Sequence, residues 1–230
     1  MVVLLVATMF ILFVIADAVL DRRQRRVMAH ETATRHAKLR EEAPSFVAGY
    51  ELPEELHYHQ GHTWVHWVAP DEAYVGVDDF GRRLIGQDAQ LKAPHRGSWV
   101  RQGENAVKLD RGGNAVNLVS PLTGEVVGVN PELHGRSETL HKDTYGQGWL
   151  YKVKAADLHT QIRNLFSGSL ARCWMEDSRD RFQRQLMLST GNVMQDGGTP
   201  VDDIAAHLSP AQWHELAEEF FSVSSTPKNN

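Results

Sequence analysis

The chain has 230 residues, of which 42% are hydrophobic and 23% are charged, a composition that excludes a disordered or collagen-like protein. A net charge of -5 argues against a broad basic surface for nucleic acid, so no nucleic-acid partner is expected. The single cysteine, Cys173, excludes an intrachain disulfide and a cysteine-based zinc cluster.

The first 20 residues are expected to form a transmembrane anchor. Residues 2–16 carry no charge, and a helix extended to Leu20 would be about 30 Å long, enough to cross a bilayer. The Ala16-Asp17-Ala18 sequence resembles a signal-peptidase site. A signal peptide, however, requires a basic segment before its apolar run, and no Lys or Arg precedes the apolar run here. An uncleaved anchor is therefore favoured. Its lipid-facing residues include Val2, Leu4, Phe10 and Phe13.

The charges that follow this segment predict its orientation. Arg22, Arg23, Arg25 and Arg26 come directly after it, and basic residues concentrate on the cytoplasmic flank of a membrane span. The N-terminus is therefore expected outside a bacterial-type inner membrane, with the soluble part on the cytoplasmic side. These arginines can also contact anionic lipid headgroups. Residues 21–44 lack glycine and contain proline only at position 44, which predicts a polar juxtamembrane helix or linker.

Residues 45–154 have the pattern of a compact β domain. Short β-branched or aromatic runs recur between turn residues, as in a small sandwich or barrel. The predicted strands are Thr63–Val68, Ala73–Val77, Asn105–Leu109, Ala115–Val119, Gly124–Val129 and Trp149–Val153.

Residues 155–222 are predicted to be a helical extension. One helix is expected over 155–186, with Leu158, Ile162, Leu165, Phe166, Leu170, Cys173 and Trp174 on its apolar face, which would bury the Cys173 thiol. A loop is expected at 196–200. Ser209 and Pro210 then begin a helix that runs to Phe221 and places Trp213, Leu216 and Phe220 on one face. That face either folds back on the β domain or binds a partner. Residues 223–230 are expected to be a disordered tail.

Several segments carry a resemblance to a known family. They read YHQGHTWV at Tyr58–Val65, YVGVDDF at Tyr74–Phe80, LIG at Leu84–Gly86, SPLTGEVVGVN at Ser120–Asn130 and KDTYGQGWLYKVK at Lys142–Lys154. In order and spacing, residues 50–154 resemble the H protein of the glycine cleavage system, a lipoyl carrier. The resemblance implies a mainly β hammerhead fold (a barrel-sandwich hybrid) with a helix after the last strand, and a structural role for His62.

The departure from this family concerns its cofactor. H proteins carry lipoamide on one lysine at a hairpin tip, and a gapless count from Pro121 places that position on Gly113. Asp110 stands where the family has a glutamate, and Gly112-Gly113-Asn114 favours a tight reversal. Glycine has no amine to acylate, so no cofactor is expected. Lys108 is the weak alternative attachment site, because it is predicted to lie within a strand.

Other chemistry is less well supported. His57, His59, His62 and His66 are close in sequence, but no carboxylate or cysteine lies at convincing ligand spacing, so no metal site is expected. Nucleophile-elbow and nucleotide-binding motifs are absent from the sequence, so neither an enzyme nor a small-molecule substrate is expected.

The sequence therefore predicts a membrane-anchored, non-catalytic accessory subunit of a membrane complex, for example a respiratory or photosynthetic one. Asp110, Arg111, Gly112, Gly113 and Asn114 form its predicted partner-binding hairpin, with the exposed Arg111 as a docking group. The helix that carries Trp213, Leu216 and Phe220 is the second predicted partner-binding element. The alternative is a lipoyl carrier of the glycine cleavage type with a displaced attachment lysine.

Overall fold

A computed structural model of the protein describes residues 45–133, 137–190 and 203–222. The predicted anchor (1–20), juxtamembrane segment (21–44) and tail (223–230) lie outside the described residues, as does the predicted loop at 196–200. Within the described ranges, no helix combines the length and the apolar composition that crossing a membrane requires.

The described residues contain eleven strands and five α-helices in a mainly β arrangement. The strands are β1 (Phe46–Val47), β2 (Tyr50–Glu51), β3 (His57–Tyr58), β4 (Thr63–Ala69), β5 (Glu72–Val77), β6 (Gln90–Lys92), β7 (Trp99–Val100), β8 (Asn105–Arg111), β9 (Asn114–Val119), β10 (Gly124–Val129) and β11 (Trp149–Lys154). The helices are α1 (Asp79–Ile85), α2 (Glu138–Lys142), α3 (Leu158–Ile162), α4 (Gly168–Thr190) and α5 (Pro210–Phe221), with 3-10 turns at Pro131–Leu133 and Ile204–His207.

Two antiparallel sheets build most of the β domain. The larger sheet has the strand order β3-β4-β5-β11-β10-β7, and the smaller has the order β6-β8-β9. All six strand predictions are confirmed to within two residues of their ends. The pattern succeeds because apolar side chains alternate along each strand. Val107 and Leu109 of β8, for example, are buried while Lys108 between them is exposed.

Valine and aromatic side chains from both sheets join one hydrophobic core. Val65, Val75 and Val153 lie fully buried in the larger sheet, and Leu109 and Leu118 in the smaller. Burying a side chain of this size stabilises the fold by about 1.5–3 kcal/mol. The core therefore fixes the smaller sheet, and the hairpin that it contains, against the rest of the domain.

The predicted single helix over 155–186 is wrong, because the chain breaks between α3 and α4. Phe166 exchanges backbone hydrogen bonds with Tyr58 of β3, and Gly168 begins α4 with a φ of +53°. Glycine adopts this left-handed conformation without the steric cost that a β-carbon adds. The phase of the apolar pattern is therefore lost at the break.

The predicted burial of Cys173 is also wrong, because its side chain is exposed on α4. Leu170, expected on the same buried face, is 67% exposed. The helix buries Ala171, Met175 and Phe182 instead, at spacings of four and seven residues.

Helix α5 confirms the predicted start and packs on the chain's own β domain. The Ser209 hydroxyl accepts the backbone N–H of Gln212, and the Gln212 side chain reaches back to the Ser209 N–H, completing a capping box. The helix lies against β9 and α1, and its C-terminal half against α4. Of the two alternatives for its apolar face, the structure shows folding back.

Candidate functional site

The β8–β9 hairpin carries the predicted site, and Gly112 and Gly113 form its tip. Arg111 and Asn114 are paired at the ends of the two strands. Gly112 and Gly113 have φ values of +59° and +87°, as a tight hairpin turn requires, which confirms the predicted tight reversal. The Asp110 carboxylate accepts the Gly113 N–H at 3.1 Å and so holds the turn.

The tip projects into open space. Gly112 and Gly113 are exposed, and a β-carbon built on Gly113 would meet no atom within 4 Å. A side chain at this position would therefore extend away from the domain. Lys108 lies within β8, as expected, where it is paired with Asn117 on one side and Lys92 on the other.

Arg111 differs from its prediction as an exposed docking group. Its side chain is half-buried, with the guanidinium carbon over the Trp213 ring, 6.0 Å from the centroid. The flat guanidinium gains both cation–π attraction and apolar contact there. The expectation of a freely displayed arginine is therefore corrected. The arginine links the hairpin to α5 because its guanidinium packs on the face of the Trp213 indole.

The predicted partner-binding face of α5 is also corrected. Trp213, Leu216 and Phe220 are each at most 2% exposed, so they are core residues and have no surface to offer a partner. The indole Nε1–H of Trp213 donates to the carbonyl of Leu84 at 2.8 Å, which pairs the one polar atom of that side chain. These contacts join residues 129 positions apart in the sequence.

His62 is a buried structural residue, as the resemblance implied. Its Nδ1 donates to the Asp78 carboxylate at 2.8 Å, and the ring stacks on Phe80 with 4.3 Å between centroids. The imidazole also contacts Trp174 of α4 and Phe220 of α5. His62 thereby connects the start of β4 to three helices.

The neighbouring histidines do not form a metal site together with His62 in the described residues. Nδ1 of His59 accepts the N–H of Gly61 at 3.1 Å, and burial, with a smaller contribution from His62, lowers the pKa of His59 to about 4. Burial also lowers the pKa of His57, which lies beside the exposed Trp67. Within the part of the chain that the structure describes, no three His, Cys, Asp or Glu side chains form a metal-binding group.

A second buried polar cluster was not predicted. Asp79 accepts hydrogen bonds from Arg82 and Arg83 and from the Glu51 N–H. Its own backbone N–H donates to the Tyr145 hydroxyl at 2.9 Å, and burial raises the pKa of that phenol. An aspartate followed by arginines at three and four residues is the sequence signal. The cluster ties α1 to β2 and to the loop before β11, so its evident role is structural.

The comparisons with known proteins agree with this architecture. The family model described as glycine cleavage H-protein matches residues 56–177, more than half of the chain. The chain belongs to the glycine cleavage H-protein family. Its mainly β architecture is the lipoyl-domain fold of that family, extended by C-terminal helices.

The chain is also similar to individual members of the family. The chain is 37% identical over 107 residues to the glycine cleavage system H protein of Marinobacter nauticus, covering 46% of this chain and 82% of that protein. It is 36% identical over 107 residues to the one from Hydrogenovibrio crunogenus, with 46% and 83% covered. A crystal structure of the H protein from Mycobacterium marinum matches with a TM-score of 0.42 and 25% identity, over 46% of this chain and 87% of that one.

The extent of the family match shows which parts of this H-protein-family chain are additional. The match ends at residue 177 within α4, so the second half of α4 and all of α5 lie beyond it. The β8–β9 hairpin and α1 lie inside the match. Arg111 and Trp213 therefore join a family element to an element outside the family match.

Proposed function

We propose that this chain is a non-lipoylated member of the H-protein family that acts by binding partner subunits, without catalysing a reaction. The observation that carries the proposal is Gly113. It occupies the exposed tip of the hairpin, at the position where the resemblance places the attachment lysine. A lipoyl group is held through an amide bond to a lysine amine, and glycine provides no such group.

The other lysines of the described residues support this view. None lies at the hairpin tip; they stand at Lys92, Lys108, Lys142, Lys152 and Lys154. Lys108, the alternative attachment site, is five residues before the tip and has strands on both sides. A lipoyl arm on Lys108 would project from the face of the sheet and not from the tip of the hairpin.

The proposal includes a membrane anchor at residues 1–20, with the N-terminus outside and the β domain on the cytoplasmic side. The charge-free run and the arginines of residues 22–26 support it. Tethering to the bilayer raises the effective concentration of the domain near a membrane partner. The proposed organisation is an anchor, a linker over 21–44, the β domain over 45–154, the extension over 155–222 and a tail over 223–230. No nucleic acid or small-molecule substrate is proposed.

Intact-mass spectrometry of the full-length protein tests the absence of the cofactor. The protein is produced in cells that lipoylate their own carriers, so that the attachment enzymes are present. The expected mass is that of the unmodified chain. A lipoyl adduct that maps to Lys108, and disappears in Lys108→Arg, would establish the displaced-lysine carrier instead.

Purification in a mild non-ionic detergent tests the binding role. The full-length protein is expected to leave the membrane fraction together with other subunits, at a size well above that of a monomer. Recovery of the chain alone, or recovery without detergent in the soluble fraction, would contradict the anchored-subunit proposal.

A further inference from the structure

The lysines of the described residues divide into two groups by their partners. Lys142 pairs with Glu138 at 2.8 Å, Lys152 pairs with Glu72, and Lys154 lies 3.4 Å from the carboxylate of Asp71. For Lys92 and Lys108, no carboxylate of residues 45–133, 137–190 or 203–222 lies in ion-pair range. Both of these side chains are exposed.

The two unpaired lysines are direct neighbours across two strands. Lys92 of β6 is paired with Lys108 of β8, and Lys108 is paired in turn with Asn117 of β9. These three residues form a row across the whole smaller sheet, named here the lysine row. Like charges placed opposite each other destabilise an antiparallel pair. The repulsion between Lys92 and Lys108 therefore lowers the stability of the unbound domain, and a bound anionic group would relieve it.

The surroundings of the lysine row favour a protein as the anionic partner. The adjacent row on the same face contains Gln90, Asp110 and Ala115. Amide groups and a small side chain suit a flat protein contact. A protein surface can place carboxylates over the two lysines and an uncharged group over Asp110, whereas a continuous layer of lipid phosphates would repel Asp110. The Asp110 carboxylate is partly engaged already, since it accepts the Gly113 N–H. Exposed Arg96 follows β6 by four residues and adds a positive charge to this part of the chain.

We propose that the lysine row is the docking surface for an acidic protein surface. The inference rests on the proposed binding function and names the chemistry of its partner. Carboxylates of the partner neutralise Lys92 and Lys108 together, and Asn117 supplies an amide donor beside them. The contact places the partner on the face of the smaller sheet, away from the hairpin tip.

The test uses the full-length protein in non-ionic detergent with poly-L-glutamate as the acidic probe. The double variant K92Q/K108Q removes the row, and K142Q/K154Q is the control that removes the same charge from paired surface lysines. Binding is expected to weaken about tenfold in K92Q/K108Q and less than about twofold in the control. The weakening should disappear at high salt.

A second readout excludes a merely structural effect. Because the lysines repel each other, Lys108→Gln alone is expected to raise the melting temperature by about 1–4 °C while it weakens binding of the probe. A lower melting temperature would show that the lysines stabilise the sheet, and would overturn the proposal.

The remaining outcomes are decisive as well. Equal binding by wild type and K92Q/K108Q, equal loss in both double variants, or no binding by wild type would each overturn the proposal. The same holds if the variant loses binding only to mixed micelles that contain phosphatidylglycerol, because the partner would then be lipid. A lipoyl adduct, or a chain that purifies alone, would refute the proposed function, and the probe titration would still decide the chemistry of the row.

Discussion

The guanidinium of Arg111 lies over the indole of Trp213, with 6.0 Å between the guanidinium carbon and the ring centroid. Arg111 ends β8 immediately before the hairpin tip, and Trp213 is fully buried in α5. The end of the hairpin is therefore fastened to the C-terminal extension. Helix α5, which lies beyond the family match, thus belongs to the core of the folded domain.

Replacement of Trp213 tests how strongly the extension contributes to the fold. Trp213→Ala is expected to lower the free energy of unfolding by about 3–5 kcal/mol, because it leaves a cavity and frees the Leu84 carbonyl. Leu188→Ala removes a side chain that is 82% exposed on α4, and should change stability by less than about 0.5 kcal/mol. Urea unfolding measures both. Similar values for the two variants would show that α5 is not part of the core.

Two glycines of the larger sheet give a matched pair of steric predictions. A β-carbon on Gly76 would lie 2.3 Å from the Trp64 ring, whereas one on Gly128 would meet only Lys152 at 3.6 Å. Gly76→Ala is therefore expected to destabilise by about 1–3 kcal/mol, and Gly128→Ala by less than about 0.5 kcal/mol. Thermal unfolding of the two variants checks the difference, and an equal effect would contradict the packing of Trp64 on β5.

Asp78 should be essential for stability because it performs two tasks. It accepts the Gly81 N–H as the N-cap of α1, and it also pairs with buried His62. Asp78→Ala is expected to cost about 3–5 kcal/mol. Asp157 is the control, since it precedes α3 without a side-chain cap bond and is exposed. Asp157→Ala should be nearly neutral in the same urea titration.

The lowered pKa of His59 predicts a specific pH dependence. In the folded protein this group has a pKa of about 4, below the ordinary value of 6.5. Between these values the unfolded chain binds more protons, so stability falls as the pH decreases from about 6.5 to about 4. The full contribution is roughly 3 kcal/mol at most. His59→Asn keeps an acceptor for the Gly61 N–H but has no imidazole to protonate. Between about pH 6.5 and pH 4 its unfolding free energy should therefore fall by up to roughly 3 kcal/mol less than that of the wild type. Parallel pH profiles for wild type and variant would contradict the prediction.

Gly113→Lys tests whether the hairpin still presents an attachment point. The position is exposed and open, so the lysine fits, although its φ of +87° makes a side chain cost about 1–2 kcal/mol. The variant is expected to acquire a lipoyl adduct in cells that contain the attachment enzymes, with a slightly lower melting temperature. A stable Gly113→Lys protein that remains unmodified would show that more than one residue separates this chain from a carrier.

The sequence predicts the β domain well because its signals are local. Alternating apolar residues define β4, β5, β8 and β9, and consecutive glycines define the tip of the hairpin. The Ser209 cap likewise marks the start of α5 by its immediate neighbours. These features depend on residues within a few positions of one another.

The failures concern contacts between distant residues. The backbone pairing of Phe166 with Tyr58 interrupts the predicted helix, and nothing near Phe166 in the sequence indicates that partner. The restart at Gly168 then rotates α4, which exposes Cys173. Arg111 looked exposed for the same reason, because its partner Trp213 is 102 positions away. Local pattern thus predicted the elements of the candidate site but not how the C-terminal helix packs against the base of the hairpin.

The masses of the wild-type and Gly113→Lys proteins, purified from the same lipoylating cells, test the central claim most directly. The account predicts an unmodified wild-type chain beside a lipoylated variant. A lipoyl group on any lysine of the wild-type protein would contradict it.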